Sequence, residues 1–209
     1  MQQLLLELAR PPLPTLENFS PGRNNAALKI LREALADGER FVFLWGPGGS
    51  GKTHLLRAFS EAAAAANREA VVVDDVARLG EAEQVALFDL CNRLRSSKGA
   101  LAASAAVPPA QLALRPDLRS RLASGIVLQL RPLSDADKAA ALSAHAAGRG
   151  MRVDRDLIAY LLAHFDRDMG TQIALLDALD RHSLQRKRPI TLPLLKEALR
   201  SLAEPEARR

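Results

Sequence analysis

Aromatic residues are scarce in this chain: one tryptophan, one tyrosine and six phenylalanines amount to 4% of 209 residues. A β-sandwich core, which leans on aromatic and β-branched side chains, is not expected from so few. The apolar fraction of 48% rests instead largely on alanine and leucine, strong helix formers. Cysteine is scarcer still. The single Cys91 can form no internal disulfide, so a reducing compartment is expected, and its place in a helical pattern reads as a small core residue. No apolar run approaches the roughly 20 residues that span a bilayer. The leucine-rich start MQQLLLELA is interrupted by Glu7 and lacks the ordered basic, apolar and small-residue regions of a secretory leader. Those leucines are therefore core residues of an edge strand or first helical turn, or they serve a partner. No repeat at solenoid period is present.

What is present begins with charge. A net +5 and a pI near 9.9 favour contact with nucleic acid or an acidic protein surface, although no basic run is interleaved with aromatics. Residues 9–15, ARPPLPT, form an extended tether, which sets residues 1–14 apart from a body over 15–132. Apolar spacing predicts a helix over 24–36, stopped by Asp37-Gly38. RFVFLWG and AVVVDDV are short apolar runs of the kind found in buried parallel strands, and HLLRAFSEAAAAAN joins them as a helix in one βαβ unit. AEQVALFDLCNRLRSS is an amphipathic helix and GALAASAAV a third strand diluted by alanine. AQLALRPDLRSRL holds a short helix, and GIVLQLRPL is a fourth strand. Beyond Pro132 only helical periods remain, with Ser134 and Thr191 at cap positions, so residues 133–209 form an all-helical domain. The expected class is α/β: a short parallel sheet of about four strands, then an all-α domain.

Chemistry concentrates at GPGGSGKT, residues 46–53, which has the spacing of a phosphate-binding loop between a strand and a helix. In that setting the backbone N–H groups face phosphate oxygens and the helix N-terminus adds partial positive charge. Lys52 would reach the β- and γ-phosphates, and the Thr53 hydroxyl would coordinate Mg²⁺. Mg²⁺ beside phosphates calls for a carboxylate at the end of a neighbouring strand. Asp74 supplies it, and Asp75 fits the group that orients or deprotonates attacking water; a helix cap is the other reading of the pair. Arg115, Arg119 and Arg121 precede the fourth strand, either as a solvated basic face or as a source of an arginine that stabilises a transferring phosphoryl group.

These segments together resemble the DnaA-related AAA+ ATPases, and most closely their short Hda branch, over nearly the whole chain. LENFSPGRNNAAL is similar to the lead-in segment that lies over adenine, with Phe19, Gly22 and Asn24 in matching places. GPGGSGKTHLL is similar to the nucleotide loop, LFDLCNRL to the helix after the Walker B strand, and LRPLSDADKAAAL to the start of the lid. The resemblance implies a P-loop AAA+ module with bound ADP or ATP. Its phosphates would meet Gly46, Pro47, Gly48, Gly49, Ser50, Gly51, Lys52 and Thr53, with Mg²⁺ on Thr53 and Asp74. PDLRSRL matches the arginine-finger segment, which places the finger on Arg121, acting in trans, with Asp75 as the other catalytic residue.

QLLLEL, residues 3–8, resembles the branch's peptide for the DNA polymerase III β sliding clamp, with Gln3, Leu4, Leu6 and Leu8 in place, and so accounts for the leucines. The implied protein is a cytoplasmic regulator of replication initiation that rides on the clamp and stimulates hydrolysis of DnaA-bound ATP. The alternative is an autonomous P-loop ATPase of the initiator or loader type. DnaA and the clamp are the implied partners; non-specific DNA contact and a homodimer are compatible with the sequence, and no membrane contact is expected. No helix-turn-helix pattern follows the lid before Arg209, so sequence-specific DNA binding is not expected. Three places depart from the pattern. Only 21 residues separate Lys52 from Asp74, which predicts a sheet lacking the family's edge strand. At the sensor I position Ala106 stands where a polar side chain is usual, with Ser104 the hydroxyl nearby. Gly170 stands where the sensor II arginine would fall, three residues after Arg167.

Overall fold

The computed structural model describes residues 13–36, 40–97, 99–165 and 168–203, the segment 198–203 by backbone alone. They form two compact units, the first running from Leu13 to Leu133 and the second starting at Ser134. In the first unit α1 (Asn25–Leu35) precedes β1 (Phe41–Trp45), α2 (Lys52–Ala65), β2 (Ala70–Val73), α3 (Glu81–Ser97), β3 (Ala100–Ala105), α4 (Pro116–Ala123) and β4 (Ile126–Gln129). The four strands form a parallel sheet in the order β2-β3-β1-β4, so the α/β class and the expected four strands are observed, with β2 at an edge.

Strand alternation sorts the core into two layers. Val42 and Leu44 of β1 face Leu28, Leu31 and Ala34 of α1 and Leu55, Leu56 and Phe59 of α2. Phe41 and Phe43 face the other way, toward Leu87, Cys91 and Leu94 of α3 and Leu118 and Leu122 of α4. The alanines that dilute the third strand in sequence have a structural reason. β3 lies between β2 and β1 with helices over both faces, all six of its residues are buried, and Ala102, Ala103 and Ala105 are wholly buried. Tertiary burial there outweighs alanine's weak strand preference. At Gly125 a Cβ would come 2.1 Å from the Phe41 carbonyl oxygen, so the turn into β4 admits no side chain.

The second unit is helical: α5 (Asp135–Gly148), α6 (Arg155–His164), α7 (Met169–Arg186) and α8 (Leu192–Ala203). Ser134 caps α5 reciprocally. Its Oγ accepts from the Asp137 N–H at 3.1 Å and its own N–H donates to Asp137 Oδ2 at 3.2 Å. Leu142, Leu157, Leu161, Leu176, Leu179 and Leu194 make its core. Among the described residues no helix is long and apolar enough to cross a membrane.

Candidate functional site

The glycine-rich turn lies between β1 and α2, and its glycines are used in different ways. Gly46 runs so close to the segment after β4 that a Cβ would sit 2.3 Å from the Leu130 carbonyl oxygen. Gly51, at φ +91°, is the left-handed residue preceding α2, and a Cβ there would strike the Phe19 ring at 2.8 Å. Around Gly48 and Gly49 the space is open. Phe19 itself is buried against this turn, its ring 5.4 Å from that of His54, whose Nε2 lies 3.2 Å from the Thr15 carbonyl oxygen.

Lys52 opens α2 and folds back over the loop, its Nζ donating to the Gly46 carbonyl at 2.7 Å and the Pro47 carbonyl at 2.9 Å. Burial pushes its pKa below lysine's usual value, while Asp74 and then Asp75 pull partly in the opposite direction. Next to it, Thr53 Oγ1 donates to Asp74 Oδ2 at 2.6 Å. The other carboxylate oxygen, Oδ1, accepts from Ser104 Oγ at 2.5 Å, and the same hydroxyl accepts from the Asp75 N–H at 3.1 Å. The sheet register makes this possible. Val73 pairs with Ala103, which brings Asp74 to the level of Ser104, and Ser104 pairs in turn with Leu44 near the end of β1. Asp75 adopts the left-handed conformation, φ +53°.

Lys52, Thr53, Asp74 and Asp75, read from sequence as one constellation, are thus brought together, with Ser104 as the member whose bridging role spacing did not reveal. A hydroxyl one residue before the end of the otherwise apolar ALAASA run was the available signal. The fit to a nucleotide's phosphates can be tested on the loop itself. Ser50 Oγ is buried without a hydrogen-bond partner, Gly48 and Gly49 leave an open cradle, and Lys52 bonds only carbonyls that a phosphate could replace. The loop therefore fits a phosphate chain, and the adjoining Thr53 hydroxyl and Asp74 carboxylate are hard oxygen donors suited to Mg²⁺.

The remaining expected residues fall elsewhere. Gly22 takes φ +50° in the lead-in turn. Asn24 is buried, and its amide clamps the Arg131 backbone: Nδ2 donates to the carbonyl at 2.8 Å and Oδ1 accepts from the N–H at 2.8 Å. Arg121 is half-buried on α4, its guanidinium 5.7 Å from the centre of the Phe88 ring on α3. It therefore belongs to the helix layer on the sheet face opposite α2. Arg115 instead pairs with Asp117 at 2.9 Å. Gly170 lies in the first turn of α7. Gln3, Leu4, Leu6 and Leu8, with Arg167, lie outside the described residues.

A family model described as the lid domain of Hda matches residues 135–199. A protein of Haemophilus influenzae described as uncharacterized is 36% identical over an alignment of 227 residues, spanning 95% of this chain and 98% of its own. Among solved structures, domain III of the Thermotoga maritima replication initiation protein DnaA superposes with a TM-score of 0.69 at 19% identity, over 93% of this chain and 98% of that one. DnaA from Aquifex aeolicus bound to AMPPCP gives 0.66 at 22% identity, over 84% of this chain and 70% of that one. At these identities the structural likenesses establish the fold.

Proposed function

The chain belongs to the Hda family of DnaA-related AAA+ proteins, regulators of DNA replication initiation, and we propose that it acts as a clamp-tethered activator of ATP hydrolysis on DnaA. The observation that carries the reading is the joint Thr53–Asp74–Ser104 bonding beside a phosphate-shaped loop, in a chain whose second unit matches the Hda lid. In this reading ADP or ATP with Mg²⁺ occupies the loop and keeps the module in its partner-competent form.

Bound nucleotide supplies negative charge to the loop and a Mg²⁺ ion beside it. The chain's own residues then have defined parts. Lys52 exchanges its loop carbonyls for phosphate oxygens, the loop N–H groups and the α2 N-terminus complete the anion cradle, and Thr53 and Asp74 hold the cation. Asp75 orients water. Gln3, Leu4, Leu6 and Leu8 bind the β sliding clamp in the cytoplasm. Tethering lets a second, weak contact with DnaA act, since joining two modest interfaces raises avidity by about 10² to 10⁴. Arg121 then stabilises charge on the γ-phosphate of DnaA-bound ATP.

The intact Lys52, Thr53, Asp74 and Asp75 set favours one second reading, an ATPase whose own turnover does the work. Steady-state hydrolysis by the purified protein, alone and with clamp and DNA, separates the two. Hydrolysis that appears only when ATP-loaded DnaA is supplied supports the activator; comparable turnover without DnaA supports the autonomous enzyme.

A further inference from the structure

The turn between α7 and α8 carries Arg186, Lys187 and Arg188 in succession, all exposed. Glu197 of α8 reaches two of them at once: Arg186 Nη1 lies 3.2 Å from its Oε1 and Arg188 Nη1 2.7 Å from its Oε2. One carboxylate thus fixes two guanidinium groups side by side and neutralises only half their charge. Each guanidinium carries five N–H donors, of which the carboxylate engages only part, and the two arginine side chains are about half exposed, at 52% and 51%, so donors remain for a further anion.

The backbone holds these cations in place. The Arg188 N–H donates to the Ser183 carbonyl at 3.1 Å, the Lys187 N–H to Leu184 at 3.3 Å, and Ser183 Oγ to the Arg188 carbonyl at 2.5 Å. This closure puts Lys187 in the left-handed conformation, φ +51° and ψ +40°. That is the position after a helix where glycine is favoured, because a Cβ there is strained. A lysine thus occupies a strained position of the turn, and among the described residues no ion pair holds it.

We propose that this turn is a sequence-independent contact for the phosphate backbone of duplex DNA. Paired, pre-oriented guanidiniums with an ammonium beside them suit a row of phosphates. A lipid surface is less well served: among the described residues of the second unit Leu184, 69% exposed, is a single exposed leucine and makes no apolar face to insert. The replication role of the family favours DNA over other polyanions, and neither nucleotide, clamp nor DnaA is needed to observe the contact, so it stands or falls apart from the proposed activity.

The test is fluorescence anisotropy of the full chain with a labelled mixed-sequence DNA duplex across a series of salt concentrations. Lys187→Gly is expected to weaken binding about eightfold at about 0.1 M salt and to make the log–log salt slope shallower by about 0.9, the release of one counterion. Its thermal midpoint should hold or rise, because glycine relieves the strained backbone. Glu197→Gln, which removes the neutralising carboxylate, should tighten binding. If the cations only offset the dipole at the end of α7, Lys187→Gly would leave duplex affinity and slope unchanged, and that result overturns the contact. So would a wild-type chain that fails to bind the duplex, or a greater loss on phosphatidylglycerol vesicles than on DNA.

Discussion

The Ser104 hydroxyl donates to Oδ1 of Asp74 at 2.5 Å from an interior strand of the sheet, and so holds the one oxygen of that carboxylate that Thr53 does not. It also accepts from the Asp75 N–H at 3.1 Å, which couples both aspartates to a fully buried group. A carboxylate bound on both oxygens has a fixed direction, which is the requirement for placing a divalent cation beside phosphates. The neighbouring Ala106 offers no polar side chain at all.

Ser104→Ala should therefore do more than lower stability. Leaving Asp74 one donor short and the Asp75 N–H without its acceptor should cost about 1–3 kcal/mol of folding free energy. Calorimetric titration with ADP, with and without Mg²⁺, should find the Mg²⁺-dependent gain in affinity reduced while Mg²⁺-free binding is nearly kept. Parallel losses in both titrations would make the hydroxyl a stabilising group only.

For Lys52→Ala the expected outcome is loss of measurable ADP binding, since backbone N–H groups alone leave phosphate charge partly uncompensated. The wild-type pH profile carries a second expectation. Burial lowers the Lys52 pKa, so the ammonium loses its proton below lysine's usual range, and ADP affinity should fall as pH rises through that depressed value. Stability moves the other way: between the depressed folded value and the ordinary unfolded one the unfolded chain binds more protons, so this group's contribution rises with pH. Affinity that stays flat to the alkaline limit of folding would count against an ammonium contact with phosphate.

Much of this arrangement was legible because its signals are local. The GPGGSGKT spacing, the apolar FVFLW run before it and the VVVDD run after it each specify an element within a few residues, and the observed β1, α2 and β2 follow. The short interval from Lys52 to Asp74 pointed to a sheet of four strands, and four are observed, with β2 at an edge. The partner of Asp74 was not legible, because it depends on the register of β2 against β3, in which residues 30 apart become neighbours. Asn24 shows the same limit: its buried clamp on Arg131 spans 107 positions, a contact no periodicity encodes.

Replacing Gln3, Leu4 and Leu6 together by alanine should remove binding to the β sliding clamp while leaving the melting temperature unchanged. Each leucine buried at such an interface is worth roughly 1.5–3 kcal/mol, so affinity should fall more than tenfold. Surface plasmon resonance on immobilised clamp, beside a thermal melt, reads both quantities. A melt several degrees lower with clamp affinity retained would make the leucines core residues.

The sharpest expectation concerns Arg121. Its guanidinium rests over Phe88 in the layer of α3 and α4, on the sheet face opposite the α2 that carries Lys52 and Thr53. A half-buried cation–π contact of this kind is worth about 1 kcal/mol, little enough for the arginine to leave it for a phosphate on another protein. Guanidinium stabilises charge developing on a γ-phosphate, and supplied in trans it accelerates hydrolysis by about 10³ to 10⁵. Arg121→Ala should accordingly keep its fold, clamp binding and ADP affinity while losing most stimulation of hydrolysis of DnaA-bound ATP on clamp-loaded DNA. Arg119→Ala, two residues away on α4 and so directed differently, should lose far less. The time course of ATP remaining on DnaA with each variant decides the matter: wild-type stimulation by Arg121→Ala rejects the finger and leaves the autonomous ATPase as the better account of Lys52, Thr53, Asp74 and Asp75.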